Sequence, residues 1–118
     1  MNQARWHVDE HVTASGASPI RDLIDGLEGR DLADALALIK LLEERGSALR
    51  PPHSKAIGGG LFEVRRNQIR IFYRFGPGRR ITLLSGIVKK QDRIPARALE
   101  HARRLQREAE GRYGKPKT

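Results

Sequence analysis

From Trp6 to Val12 apolar and polar residues alternate, with Trp6, Val8 and Val12 on one side and His7, Asp9 and His11 on the other. This period of two predicts a half-buried strand. Thr13–Ala17 reads as a loop, and Ser18-Pro19 then has the form of a helix start. The serine oxygen can accept from a free N–H, and proline suits the first helical position. Ile20, Leu23, Ile24 and Leu27 follow at helical spacing up to a break around Gly26–Gly29. A second helix is predicted from about Asp31 to Arg45, with Leu32, Leu36, Ile39 and Leu42 as its apolar stripe and Gly46 as its terminator. The two would form an αα-hairpin.

The pattern changes in the second half. Ala48–Gly60 is rich in proline and glycine and reads as a loop. Three strands are predicted after it, Leu61–Arg66, Gln68–Phe75 and Arg79–Val88, with turns near Asn67 and at Gly76-Pro77-Gly78. Connections this short imply an antiparallel meander. Pro95 opens a last helix with Ala98, Ala102, Leu105 and Ala109 on one face, and the tail from about Arg112 reads as loose. The order is strand, two helices, three strands, helix. It predicts a single α+β domain over residues 1–118.

Alternation also sorts the middle strand into two faces. Ile69, Ile71, Tyr73 and Phe75 read as core, while Gln68, Arg70, Phe72 and Arg74 share the other side. In the preceding strand Phe62 and Val64 point to the core, and Glu63 and Arg65 lie with Arg70. The expected result is an open basic platform, with arginine forks able to grip phosphate through paired hydrogen bonds.

Charge strengthens that expectation. Residues 1–48 hold five basic and nine acidic residues, whereas residues 49–118 hold eighteen basic and five acidic ones, so the first half is net acidic and the second strongly basic within an overall charge of +9. Such asymmetry predicts a polyanion-binding surface. Cysteine is absent, which excludes disulfides and thiolate metal sites. No apolar run approaches the length of a membrane span, and the N-terminus lacks a secretory pattern. A cytoplasmic protein that does not engage membranes is expected. His7, Asp9 and His11 have ligand-like spacing, but three ligands on one strand rarely converge on one ion, and neither a metal nor a cofactor is expected. Gly58-Gly59-Gly60 lacks the Lys-Ser/Thr ending of a phosphate loop and reads as a turn.

Several sequence blocks together resemble one family. They are Ser18-Pro19 with Leu23, then Gly46, Leu49, Pro52 and Lys55, then Gly59-Gly60-Leu61-Phe62-Glu63-Val64-Arg65. Ile69-Arg70-Ile71-Phe72-Tyr73 and Leu83-Leu84-Ser85-Gly86-Ile87-Val88-Lys89-Lys90, with Ile94-Pro95, complete the set. This pattern resembles the phage-derived HigB-like toxins of the RelE/ParE superfamily, over roughly Trp6 to Gln106. Ser85-Gly86 departs from it, standing where His-Gly is common.

The resemblance implies a RelE/ParE-like fold and a toxin that cleaves mRNA, usually in the ribosomal decoding site. It also implies a neighbouring antitoxin, often a helix-turn-helix protein. The chemistry would be attack of a ribose 2′-OH on the adjacent phosphate. That requires a proton acceptor, charge stabilisation and a proton donor. On that reading Arg65 and Arg70 stabilise the phosphate, Lys89 or Lys90 positions or deprotonates the 2′-OH, and Tyr73 stacks or orients. Alternation puts Tyr73 opposite Arg70, so a bulge would be needed to bring it to the site, and a core position is the other reading. Lys55, Arg74, Arg93 and His53 are expected to bind RNA, with His101 a further candidate acid or base. A gyrase poison of the ParE type and a non-toxic nucleic-acid-binding module are the alternatives.

Overall fold

The computed structural model describes residues 5–89 and 93–115. The elements in chain order are β1 (His7–Glu10), α1 (Pro19–Asp25), α2 (Gly29–Arg45), β2 (Ser54–Gly58), β3 (Leu61–Arg66), β4 (Ile69–Gly76), β5 (Arg80–Val88) and α3 (Ala96–Tyr113). The strands form a five-stranded sheet in the order β1-β5-β4-β3-β2. β2 to β5 run antiparallel to their neighbours, and β1 joins β5 in parallel. The α+β order and the three-strand meander are as expected from the sequence.

Local chemistry explains the helix boundaries. Ser18 Oγ accepts from the Arg21 N–H at 3.2 Å and caps α1. Gly46 ends α2 with φ 47°, and the backbone there lies against the indole of Trp6. A Cβ at Gly46 would sit 2.2 Å from Trp6 Cε2. Glycine is therefore required both by the backbone angle and by the ring.

The α2 stripe differs from the expected one. Ala35, Leu38 and Leu42 are buried, whereas Leu36 is 52% exposed. Both sets have helical spacing, and the sheet selects which one it faces. A second difference lies in the expected loop, where Ser54–Gly58 forms an edge strand. Its flanking prolines and glycines conceal a strand that exists through pairing with β3. A third concerns the tail, since α3 continues through Tyr113.

Two cores sandwich the sheet. On one face α1 and α2 cover Val64, Ile69, Ile71, Tyr73, Ile81 and Leu83. On the other, Ala102, Leu105 and Ala109 of α3 pack with Leu61, Phe72 and Leu84. Alanines on the inner side of α3 permit close approach to the sheet. The helix also reads the glycine turn between β2 and β3: Arg103 donates to Gly58 O at 2.6 Å and Gln106 to Gly59 O at 2.7 Å. So the face expected to be an open platform is largely roofed.

The turn between β3 and β4 is tied to α2. Asn67, with φ 53°, donates to Asp34 Oδ2 at 2.9 Å, and Arg66 Nε donates to Asp34 Oδ1 at 3.0 Å. The Asn67 hydrogen bond, with help from Arg66 and Arg30, holds the Asp34 carboxyl below its ordinary range against the opposing effect of burial. A depressed folded-state value gives stability that is present above the ordinary carboxylate pKa, about 3.9, and is lost as pH falls through the folded value.

Two outcomes follow. Gly46→Ala should destabilise the protein by about 1–3 kcal/mol through steric conflict with Trp6. Denaturant unfolding followed by emission of the sole tryptophan measures it. Asp34→Asn should lower the melting temperature at neutral pH and flatten its decline below about pH 4. Parallel melts of parent and variant between pH 7 and pH 3 check this, and identical pH slopes would exclude Asp34 as the anchor of the turn.

Candidate nucleic-acid interface

The register aligns charged side chains in rows across the α3 face. Lys55 pairs with Glu63, Glu63 with Phe72, and Phe72 with Ser85. The next row places Arg65 opposite Arg70, and Arg70 opposite Ile87. His53 extends this row, because its carbonyl accepts from the Arg65 N–H at 2.9 Å. Leu61, Phe72 and Leu84 occupy the half of the face under α3. The Arg65–Arg70 row lies toward the β3–β4 turn.

Two guanidiniums directly opposed across strands repel each other unless an anion intervenes. Glu63 is that anion, and it is fully buried. Its Oε1 accepts from Arg65 Nη2 at 3.1 Å, and Oε2 lies 3.8 Å from Arg70 Nη1. Arg65 is 27% exposed in its side chain and Arg70 only 2%. The arrangement is thus a buried carboxylate and a buried guanidinium beneath a partly open guanidinium. An approaching anion meets Arg65 with Arg70 behind it.

The other expected residues divide. His53 and Lys55 are exposed on the adjoining edge of the sheet, and Lys89 is half-buried at the end of β5, its N–H bonded to Gln68 O at 2.7 Å. Arg93 is exposed just before α3. Lys90 lies outside the described residues. His101 is half-buried on α3, and burial together with Arg104 pushes its imidazole below the ordinary histidine value.

Two expectations are corrected. Tyr73 lies in the core under α1 and α2, on the face opposite the arginines, and its phenol is pushed up by burial with partial relief from a hydrogen bond with Ser54. A register shift does occur beside it, but the pairing runs from Phe72–Ser85 to Tyr73–Leu83, so the extra residue, Leu84, belongs to β5. The alternation of β4 is preserved and Tyr73 stays in the core. Arg74 is 1% exposed beneath the C-terminal end of α3, where it donates to Gly114 O. Burial pushes its guanidinium down, and Glu110 offsets part of this. It is not available to RNA.

Sequence reasoning placed Glu63 on the arginine face and noted Ser85, but gave neither a role in the site. Glu63 carries a legible signal, as one acid alternating among arginines. The buried Ser85 hydroxyl has no hydrogen-bond partner among the described residues. The bulge turns it to the Glu63 side, which no sequence period reveals. His11, on the polar side of the predicted first strand, is fully buried, and its Nε2 lies 3.1 Å from Glu108 Oε1 on α3. His7 pairs instead with Asp9 at 3.0 Å. Among the described residues no cluster of three or more acidic, histidine or cysteine side chains is placed to hold a metal, and no helix is long and apolar enough to cross a membrane.

The Glu63 arrangement makes a specific demand on stability. Removing the carboxylate alone in Glu63→Gln should cost about 3–5 kcal/mol, because the buried Arg70 charge loses its counter-charge. The double variant with Arg70→Gln should be substantially less destabilised than the two single losses added together. Urea unfolding of the four proteins tests the coupling, and additivity would disprove it.

A family model described as "Phage derived protein Gp49-like (DUF891)" matches residues 22–107. Among solved structures, the chain is similar to one from the toxin-antitoxin complex RelBE2 of Mycobacterium tuberculosis. The two are 18% identical with a TM-score of 0.47, over 76% of this chain and 98% of that one. No curated protein matches the sequence.

Proposed function

This chain belongs to the phage-derived Gp49-like family, and we propose that it is the toxin of a type II toxin–antitoxin pair, an endoribonuclease that cleaves ribosome-bound mRNA. The observation carrying this reading is the Arg65–Glu63–Arg70 group, in which a partly open guanidinium is held by a buried carboxylate beside a second, buried guanidinium. The likeness of the Gly59–Arg65 and Leu83–Lys90 blocks to HigB-like toxins supports it. So does the concentration of positive charge in the second half of the chain.

In this mechanism the 2′-OH oxygen bonds to the adjacent phosphorus and the bond to the 5′-oxygen breaks. The products are a 2′,3′-cyclic phosphate and a 5′-hydroxyl. Arg65 touches the phosphoryl oxygens and stabilises the charge they gain. Arg70, below it, acts as a positioning residue through Glu63. Lys89 and Lys90 stand as the candidates for accepting the 2′-OH proton, and His101 as a candidate for protonating the leaving oxygen. His53, Lys55 and Arg93 bind flanking phosphates, and binding is expected to weaken with salt as counterions are released. An antitoxin would silence the site by covering this face or by barring access to the ribosome.

Arg65→Ala is expected to slow cleavage by about 100- to 1,000-fold. Arg65→Lys should restore part of it, since a point charge lacks the forked geometry. Arg45→Ala, an exposed arginine at the end of α2, should leave the rate unchanged. The measurement is growth arrest together with new transcript ends bearing cyclic phosphate, with circular dichroism to verify folding. A folded Arg65→Ala protein that cleaves like the parent would refute the assignment.

A further inference from the structure

At the end of the sheet away from Arg65, and on its opposite face, aromatic side chains surround a cavity of about 510 Å³. Trp6, Phe62 and Phe75 form one wall, and the turn Gly76-Pro77-Gly78 with Arg79 forms another. The space persists for reasons visible in the backbone. Gly60 and Gly78 have φ of 86° and 74°, which disfavour any residue with a side chain. Among the described residues the only charged one lining the cavity is Arg79, and none of the lining residues is a carboxylate.

We propose that this cavity is a docking site for a single leucine or phenylalanine side chain from an acidic segment of a partner protein. Its size lies within the range of ligand pockets, and an apolar anchor in an aromatic cavity is the usual centre of a protein interface. Charge complementarity selects the flanking sequence: Arg79 rims the cavity, and an acidic neighbour of the anchor would meet it.

Ring geometry argues against a nucleobase as the occupant. A flat base needs an exposed ring face to stack upon. The indole of Trp6 is already packed by Gly46 and by the Arg79 guanidinium, 4.6 Å from the ring centroid. Phe75 meets Trp6 and Phe62 edge to face, at interplanar angles of 63° and 78°. The Arg79 guanidinium thus already lies over the Trp6 ring where a base would have to stack. RNA lying on Arg65 would also have to cross to the other side of the sheet. The site is independent of the ribonuclease reading, because neither Arg65 nor Glu63 lines it.

Trp6 is the sole tryptophan, so its emission reports on the cavity directly. The probe is a capped peptide with one phenylalanine between two glutamates on each side. Controls are the same peptide with alanine at the centre, a lysine-flanked version, and AMP. A saturable change in emission is expected with the glutamate-flanked phenylalanine peptide, and a much weaker one with each control. Ser47→Phe, which fills the cavity from its exposed rim, should abolish the response. Arg79→Glu should weaken binding at least tenfold. The proposal is overturned by any of three results: no saturable change, an undiminished response in Ser47→Phe, or AMP or the lysine-flanked peptide binding as well as the acidic one.

Discussion

β4 is covered on both faces and yet carries two arginines. Burying a guanidinium costs several kcal/mol unless a counter-charge and hydrogen bonds accompany it. Arg70 has Glu63, fully buried on the neighbouring strand, and Arg74 has the carbonyl of Gly114 at the end of α3. These two arrangements fix the relation of β3 to β4 and of α3 to the sheet. A slip of one residue in β3 would put Glu63 in the place of Val64 on the apolar face, and a slip in β4 would put Arg70 in the place of Ile71. The polar pairing thus specifies register more than it contributes to overall stability.

The C-terminal helix converts a charge imbalance along the chain into one across the molecule. α1 and α2 carry most of the acids of the first half and lie on one side of the sheet. α3 lies on the other side with Arg97, Arg104 and Arg107 exposed. The apolar inner side of α3 and its bonds to the Gly58 and Gly59 carbonyls hold the helix over one half of the face. What remains toward the β3–β4 turn is a short cationic row rather than a broad basic platform. His53 and Lys55 are exposed on the strand edge that adjoins this row. The anchor of that turn, Asp34 with Asn67 and Arg66, lies on the α2 side, so the positioning of Arg65 depends on both layers.

The cationic row and the aromatic cavity use opposite faces and opposite ends of the sheet. A partner anchored beside Trp6 would not have to displace a polyanion from Arg65. It would need a further segment to reach the arginine face if it were to block that face. The cavity also separates two roles that arginine plays here: Arg79 packs on a ring at the surface, while Arg65 and Arg70 are organised by a buried acid.

The sequence determined every element except the edge strand β2, and the identity of the charged row. Ser18-Pro19 and Gly46 mark helix ends because capping and positive φ are local requirements. Period-two alternation placed Arg65, Arg70 and Glu63 on one face, and the register agrees. The same alternation placed Tyr73 opposite them, which the structure upholds against a catalytic role. Only tertiary structure decided that Ser54–Gly58 is a strand, since an edge strand is defined by its partner, and that β1 pairs in parallel with β5. It also decided which helical stripe of α2 is buried, sparing Leu36 and taking Ala35 and Leu38. Above all it decided how far the basic face is open. Periodicity assigns a side chain to a face of a strand, but whether that face meets water depends on a helix more than twenty residues away, and on how closely its alanines let it approach.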